Sequence, residues 1–436
     1  MILLDPANGP FQGYDRGFDE YDAAFRLPQR GASRYQSVAR HGNEVVTRAT
    51  AWLTANKHRP FFLWVNLHDI ESSSGPSYDR TLAGADAAAG KLIEFLRSQS
   101  LYDDAVIVMA SDHGESLGAH GEETHGIFLY DETIHVPLML KLPGTQTAER
   151  QIKSRVRLLD LAPTILEAAG VPVSSQMQGQ SLIRISQAAA SAGADQPSYA
   201  RSELPQYGFG CSMLESWRVG KYLYIRAPEP ELYDLSADPF ASHNLAQSSK
   251  ATLDTVASQL QALDSRLGNE SGKGVTSALT SSEIQKLASL GYVGLQKTGD
   301  GVNSAAAGTD PRQVIALINK NIEALADLDD GSPDKAERIL RPVLASKPNL
   351  YLAQFGMGVA LAQRQRYAES IENLHKAIEL RPDSAWAHLA MGLSLMQTGD
   401  FKTAAVHLEI ASEHLPASSM LHSKLAEARE RAGSRR

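Results

Sequence analysis

Apolar positions along the first 300 residues follow two periods. Val45, Val46, Ala49, Trp52 and Leu53 recur at helical spacing, as do Ala85, Ala88, Ala89, Leu92, Phe95 and Leu96, so each stretch predicts an amphipathic helix. Short, nearly continuous apolar runs stand around them: PFFLWVNL at 60–67, AVIVMA at 105–110 and VPLMLKL at 136–142. These read as strands, the first two buried on both faces of a parallel sheet. Strand, helix and strand in that order imply a right-handed crossover unit and an α/β fold class.

After residue 310 the pattern changes. Pro348, Pro382 and Pro416 recur at intervals of 34, with the small residues Ala336, Ser370 and Ala404 and the apolar Leu340, Leu374 and Leu408 in the same register. Gly358 and Gly392 also align, at a position where two helices must approach closely. A period of 34 with these columns resembles the tetratricopeptide repeat. The resemblance implies about three repeats over 314–417 and a capping helix near 418–431. Ala324 replaces the glycine in the first repeat, and none has the usual Trp. Trp386 and Met391 lie at helical spacing and read as core. Such an array offers a concave surface to a protein partner, or serves as a spacer. Each repeat contacts mainly its neighbours, so 311–436 is expected to fold on its own. The stretch 295–310 (LQKTGDGVNSAAAGTD) has the composition of a flexible linker.

Composition narrows the classes. The chain has 436 residues, 43% hydrophobic and 21% charged, which excludes disordered and fibrous readings and calls for more than one domain. The net charge of −8 lies wholly before Asp310, because 310–436 balances 16 basic against 16 acidic residues. A basic nucleic-acid footprint is absent from both parts. No stretch has the length of a membrane span, and MILLDPANGPFQ lacks the charged and apolar regions of a signal peptide. The single cysteine, Cys211, excludes an internal disulfide and a multi-cysteine metal site.

Candidate chemistry gathers after the AVIVMA strand. Ser111-Asp112-His113-Gly114-Glu115 sits where open parallel sheets bind ligands, beyond the carboxyl end of a strand. A carboxylate and an imidazole there can face one divalent cation. Gly114, Gly118, Gly121 and Gly126 let the loop wrap closely, and His120 and His125 add two imidazoles. The Asp-His pair alone is equally compatible with an ordinary surface loop. Asp103-Asp104 looks like a carboxylate pair but reads as a turn before the strand.

The segment SDHGESLGAHGEETHGIFLYDETIHVPLMLKLPG (111–144) resembles the metal loop and following strand of sulfatases in the alkaline phosphatase superfamily. GYDRGFDEYD (13–22), RPFFLWVNLHD (59–69), LLDLAPTILEAAG (158–170), GKYLYIRAPEPELYDLSADP (220–239) and LASLGYVG (287–294) extend the likeness in the usual order. It implies a partial sulfatase-like sheet with helices on both faces over 1–195. It also implies a small antiparallel sheet subdomain with following helices over 196–294, then the linker 295–310 and the repeat domain 311–436. A sulfatase-like region followed by such repeats is an arrangement typical of bacterial proteins.

By the same resemblance Asp112 and His113 are metal ligands. His125 stands where many sulfatases have a lysine contacting the sulfate and the leaving-group oxygen; the alternative for His125 is a loop-ordering hydrogen bond. His120 matches a glycine-flanked histidine that shapes the loop. The implied cofactor is a divalent metal: calcium in a true sulfatase, zinc or manganese in a phosphodiesterase relative. The implied substrate is a sulfate or phosphate ester. Two family features are not found: the strand ending in paired aspartates, and the C/S-x-P-x-R motif that supplies the nucleophile, since Cys211 is followed by Ser-Met-Leu-Glu. Asp69-Ile70-Glu71-Ser72-Ser73 also departs from the family's Asp-Pro-His-x-Pro-Tyr, and His68 is left out of the site. The chain is therefore expected to be the C-terminal part of a longer hydrolase, periplasmic or membrane-associated once an N-terminal half is restored. The alternative is an inactive scaffold that works through its repeats.

Overall fold

The computed structural model describes residues 2–4, 17–22, 41–67, 76–144, 151–183, 185, 195–270, 308–414 and 419–433. His68, the 287–294 segment, the linker up to 307 and Pro416 lie outside the described residues.

The N-terminal part holds β1 (Ile2–Leu4), β2 (Glu20–Asp22), α1 (Gly42–Asn56), β3 (Leu63–Val65) and α2 (Pro76–Ser98). β1 is the central strand of a parallel three-stranded sheet in the order β2-β1-β3. Val45, Ala49, Trp52 and Leu53 of α1 and Leu96 of α2 pack with Leu63 and Val65, so both predicted helices bury the faces their spacing assigned. Trp64, on the opposite face of β3, is exposed. The Trp52 indole donates to Glu20 at 2.8 Å and ties α1 to β2.

β4 (Ile107–Ala110) and β5 (Leu138–Lys141) follow, with the short α3 (Asp131–Ile134) between them. The crossover expected between the 60–67 and 105–110 runs forms no shared ladder. β3 pairs with β1, whereas β4 pairs antiparallel with β5 and sets Met109 opposite Met139, both exposed. An apolar run marks a strand that can be buried, but the identity of its neighbour depends on residues far away in sequence.

After α4 (Leu161–Ala168), β6 (Ser198–Ser202), α5 (Leu204–Phe209), β7 (Leu214–Val219), β8 (Tyr222–Arg226) and β9 (Glu231–Asp234) form an antiparallel sheet in sequence order. Strand alternation divides its two faces. Leu223 and its partner Tyr233 join the central core, while Tyr224 and its partner Leu232 meet Leu253, Val256 and Leu260 of α6 (Lys250–Glu270).

The repeats comprise α7 (Ile315–Asp329), α8 (Pro333–Ser346), α9 (Tyr351–Gln363), α10 (Tyr367–Leu380), α11 (Ala385–Thr398) and α12 (Phe401–His414), closed by α13 (Ser419–Gly433). The predicted columns are fully buried: Ala336, Ser370, Ala404, Leu340, Leu374 and Leu408 have no exposed surface. A Cβ on Gly358 would lie 2.6 Å from Leu374, and one on Gly392 would lie 2.6 Å from Leu408, so only glycine admits the helix behind. Met391 is buried and Trp386 packs against the same core.

The few contacts expected across the boundary before the repeats are not what forms. One hydrophobic core runs from Ile127–Tyr130 through Phe209, Leu214, Leu223 and Tyr233 into α7 and onward to Ala428. Arg381 lies over the rings of Tyr207 and Tyr351, 5.7 and 5.1 Å from their centroids, and donates to the Tyr207 carbonyl. α5 also packs directly on α9, where a Cβ on Gly208 would lie 2.8 Å from Leu352. Among the described residues no helix is long and apolar enough to cross a membrane.

Candidate active site

The site loop begins where β4 ends. Gly114 fixes its path: the amide donates to Thr133 at 2.9 Å, and a Cβ there would sit 2.2 Å from the Glu132 carbonyl. No other residue fits without moving the backbone. Leu117, Gly118, His120, Gly121 and Gly126 all have positive φ, so the loop is wound tightly. The Ser116 amide donates to the Thr124 carbonyl, and the Gly118 amide to that of Glu122, closing it on itself. Its exit, Ile127-Phe128-Leu129-Tyr130, is an anchor in the central core.

This winding stacks the His113 ring on the His125 ring, with centroids 3.9 Å apart. Glu115 joins them: its Oε1 lies 2.7 Å from His125 Nδ1, and its side chain is 6% exposed. A carboxylate oxygen accepts, so Nδ1 carries the proton in this pair and Nε2 is the atom left for other chemistry. His113, Glu115 and His125 each offer a ligand atom within 4.8 Å of the others, so this group can hold a divalent ion. Two imidazoles and a carboxylate are donors that suit zinc or manganese better than calcium.

The other predicted residues are placed differently. Asp112 adjoins the cluster in sequence, but its side chain is 88% exposed, accepts from the His113 amide and lies 3.8 Å from His113 Nε2. His120 stacks on Tyr130 at 3.6 Å and faces Glu132 at 3.8 Å, away from the three-residue group; burial holds its imidazole below the usual range, partly offset by Glu132. Asp103 sits in a turn whose carbonyl accepts from Gly144. Cys211 is buried, and burial pushes its thiol up to about 11, so it is no thiolate at neutral pH.

Two carboxylates that spacing did not single out matter here. Glu115 lies within residues 111–144, but only the fold shows that its side chain turns to a histidine ten positions on. Glu122 is buried and accepts from the amides of Ile127 and Phe128 at 2.7 and 3.2 Å. Burial pushes it up to about 7, against the pull of those amides and of His125.

A sulfatase family model matches residues 7–171, and one for the C-terminal region of N-sulphoglucosamine sulphohydrolase matches 121–267; a tetratricopeptide repeat model matches 358–399. The chain is a sulfatase-family protein joined to tetratricopeptide repeats. Its sulfatase region is 32% identical over 181 residues to arylsulfatase K of Mus musculus, covering 39% of this chain and 32% of that protein. With arylsulfatase K of Homo sapiens it shares 30% over 181 residues, 39% of this chain and 33% of that protein. The chain thus spans about a third of the length of the curated relatives it matches. A solved 2-O GAG sulfatase superposes with a TM-score of 0.45 at 19% identity, over 59% of this chain and 69% of that one.

Proposed function

We propose that the 111–134 loop serves metal-assisted hydrolysis of a sulfate or phosphate ester, with Asp112 and His113 as ligands and His125 as the group that meets the leaving oxygen. The observation that carries this reading is the 2.7 Å contact between His125 Nδ1 and the buried Glu115 carboxylate. A carboxylate behind one ring nitrogen fixes the imidazole's orientation, as a proton donor at the other nitrogen requires. When bound, a divalent ion would polarise an ester oxygen beside the stacked rings. Glu115 orients, His125 passes a proton from Nε2, and the apolar anchor 127–130 holds both against motion. Likeness to arylsulfatases favours sulfate esters and calcium; zinc or manganese is the ion if the chain acts as a phosphodiesterase relative.

Residues 1–436 contain no C/S-x-P-x-R, so the test adds a second polypeptide carrying that motif and paired aspartates. With them, aryl sulfate hydrolysis should fall by roughly 100-fold or more in His125→Ala, the size expected for losing a general acid. Calorimetric titration with calcium and manganese should lose the signal in Asp112→Ala and His113→Ala and keep it in His120→Ala. Unchanged binding in Asp112→Ala would remove it from the ligand set. The repeats are proposed to engage a protein partner through surface not covered by α5 and the sheet.

A further inference from the structure

We propose that the first tetratricopeptide repeat is part of the active site: the Asn319 side chain of α7 clamps the loop that carries His125 and acts as a positioning residue for it. The functional meaning rests on the reading of His113, Glu115 and His125 given above, but the clamp itself needs no metal. Asn319 Nδ2 donates to the Gly121 carbonyl at 2.7 Å, and its Oδ1 receives a longer contact from the Glu123 amide at 3.4 Å. One amide thus takes a carbonyl and an N–H two residues apart, as a neighbouring strand would. Gly121, at φ +84°, packs so near Ile315 that a Cβ would be 3.4 Å from its Cγ2.

A second anchor lies just upstream. Arg312 pairs with Glu231, whose Oε2 accepts from the hydroxyls of Tyr130 and Tyr233, both at 2.8 Å. Tyr130 in turn stacks on His120. Residues 312–319 therefore pin the loop at its crest and, through Glu231 and Tyr130, at its exit, and His125 lies between. A shift at 121–123 reaches His125 through Thr124, whose carbonyl is bonded to the amide following Glu115. Asn319 touches neither imidazole, so its effect is on their placement. Loops with few buried contacts are the segments that open locally, and a set of reactive side chains is only as accurate as the shell that supports it.

The test uses the full chain. Asn319→Leu removes both hydrogen bonds at similar volume; Asn319→Asp keeps the acceptor for Glu123 and loses the donor to Gly121. Asn373→Leu is the control, because among the described residues Asn373 bonds within its own helix, to the Glu369 carbonyl. Amide hydrogen exchange over 116–127 and the nitrogen spectrum of the His125 ring are read with no metal added. Asn319→Leu should speed exchange at Gly118 at least tenfold and alter the His125 ring signals, while melting stays within a few degrees of wild type. Asn319→Asp should show a smaller change in the same direction and Asn373→Leu none. Exchange within twofold of wild type and an unaltered ring spectrum in Asn319→Leu, or in Asn319→Asp should the leucine variant not fold, overturn the clamp. Failure of the chain to bind calcium or manganese would count against the metal reading alone.

Discussion

The repeats and the site loop are held by opposite strategies. In the repeats one solution recurs every 34 residues: Gln354 Nε2 donates to the Pro348 carbonyl at 2.7 Å, and His388 Nε2 lies 2.9 Å from that of Pro382, one period later. Leu374 and Leu408 press against Gly358 and Gly392 in the same way. In the 111–134 loop no contact repeats, and its partners lie up to about 200 positions away, at Ser202, Leu204, Glu231 and Asn319. Periodic sequence builds a scaffold from nearest neighbours, while a reactive site takes its shape from distant parts of the chain.

The largest expected effect probes whether the two regions melt together. Leu374→Ala, in a fully buried column, should cost about 3 kcal/mol. Because one core joins repeats and sheet, urea titration should show the Leu223 and Tyr233 face of the sheet losing structure at the same lowered midpoint. Two separate transitions would restore the picture of an independent repeat domain. Gly114→Val comes next, at about 2 kcal/mol from the forced backbone shift. It should also abolish divalent-ion binding in calorimetry, while leaving the helical signal of the repeats in place.

Glu122 gives the comparison a pH axis. Its folded-state affinity for a proton exceeds that of the unfolded chain, so stability is greatest below about 4.5 and declines as pH rises toward about 7. Glu122→Gln should flatten that slope by about 2 kcal/mol. His407 in the repeats runs the other way: burial and the neighbouring His388 hold it down to about 4, so it weakens the fold as pH falls from about 6.5. Denaturant midpoints from pH 4 to 8 in Glu122→Gln and His407→Gln should separate the two; parallel curves would show that neither group is coupled to folding. The smallest change is Arg381→Ala, about 1 kcal/mol for the cation between two rings, read as faster exchange of α5 amides with the repeats unchanged.

How far the sequence could be read follows from the same contrast. Helical spacing located α1 and α2, and the 34-residue columns located the repeats, because both are tests on local neighbours. The apolar run 127–130 is a core signal of the same local kind, four such residues after a polar loop. Strand partners, the Glu115–His125 pair and the docking of α7 on the loop were out of reach, since each joins residues whose mutual distance only the completed fold decides. Asp112 shows the limit from the other side: a motif names the residue, but its exposure and geometry come from the fold.

The reach of Asn319 has a consequence in time. Gly121 leaves the ribosome nearly 200 residues before the amide that donates to its carbonyl, an interval of about 10 to 40 s at ordinary elongation rates of roughly 5 to 20 residues per second. During that interval the histidine loop exists without its clasp. Assembly of the site is therefore vectorial: it waits on the first repeat helix, and a translational pause between residues 270 and 320 would prolong its open state without altering a single amino acid.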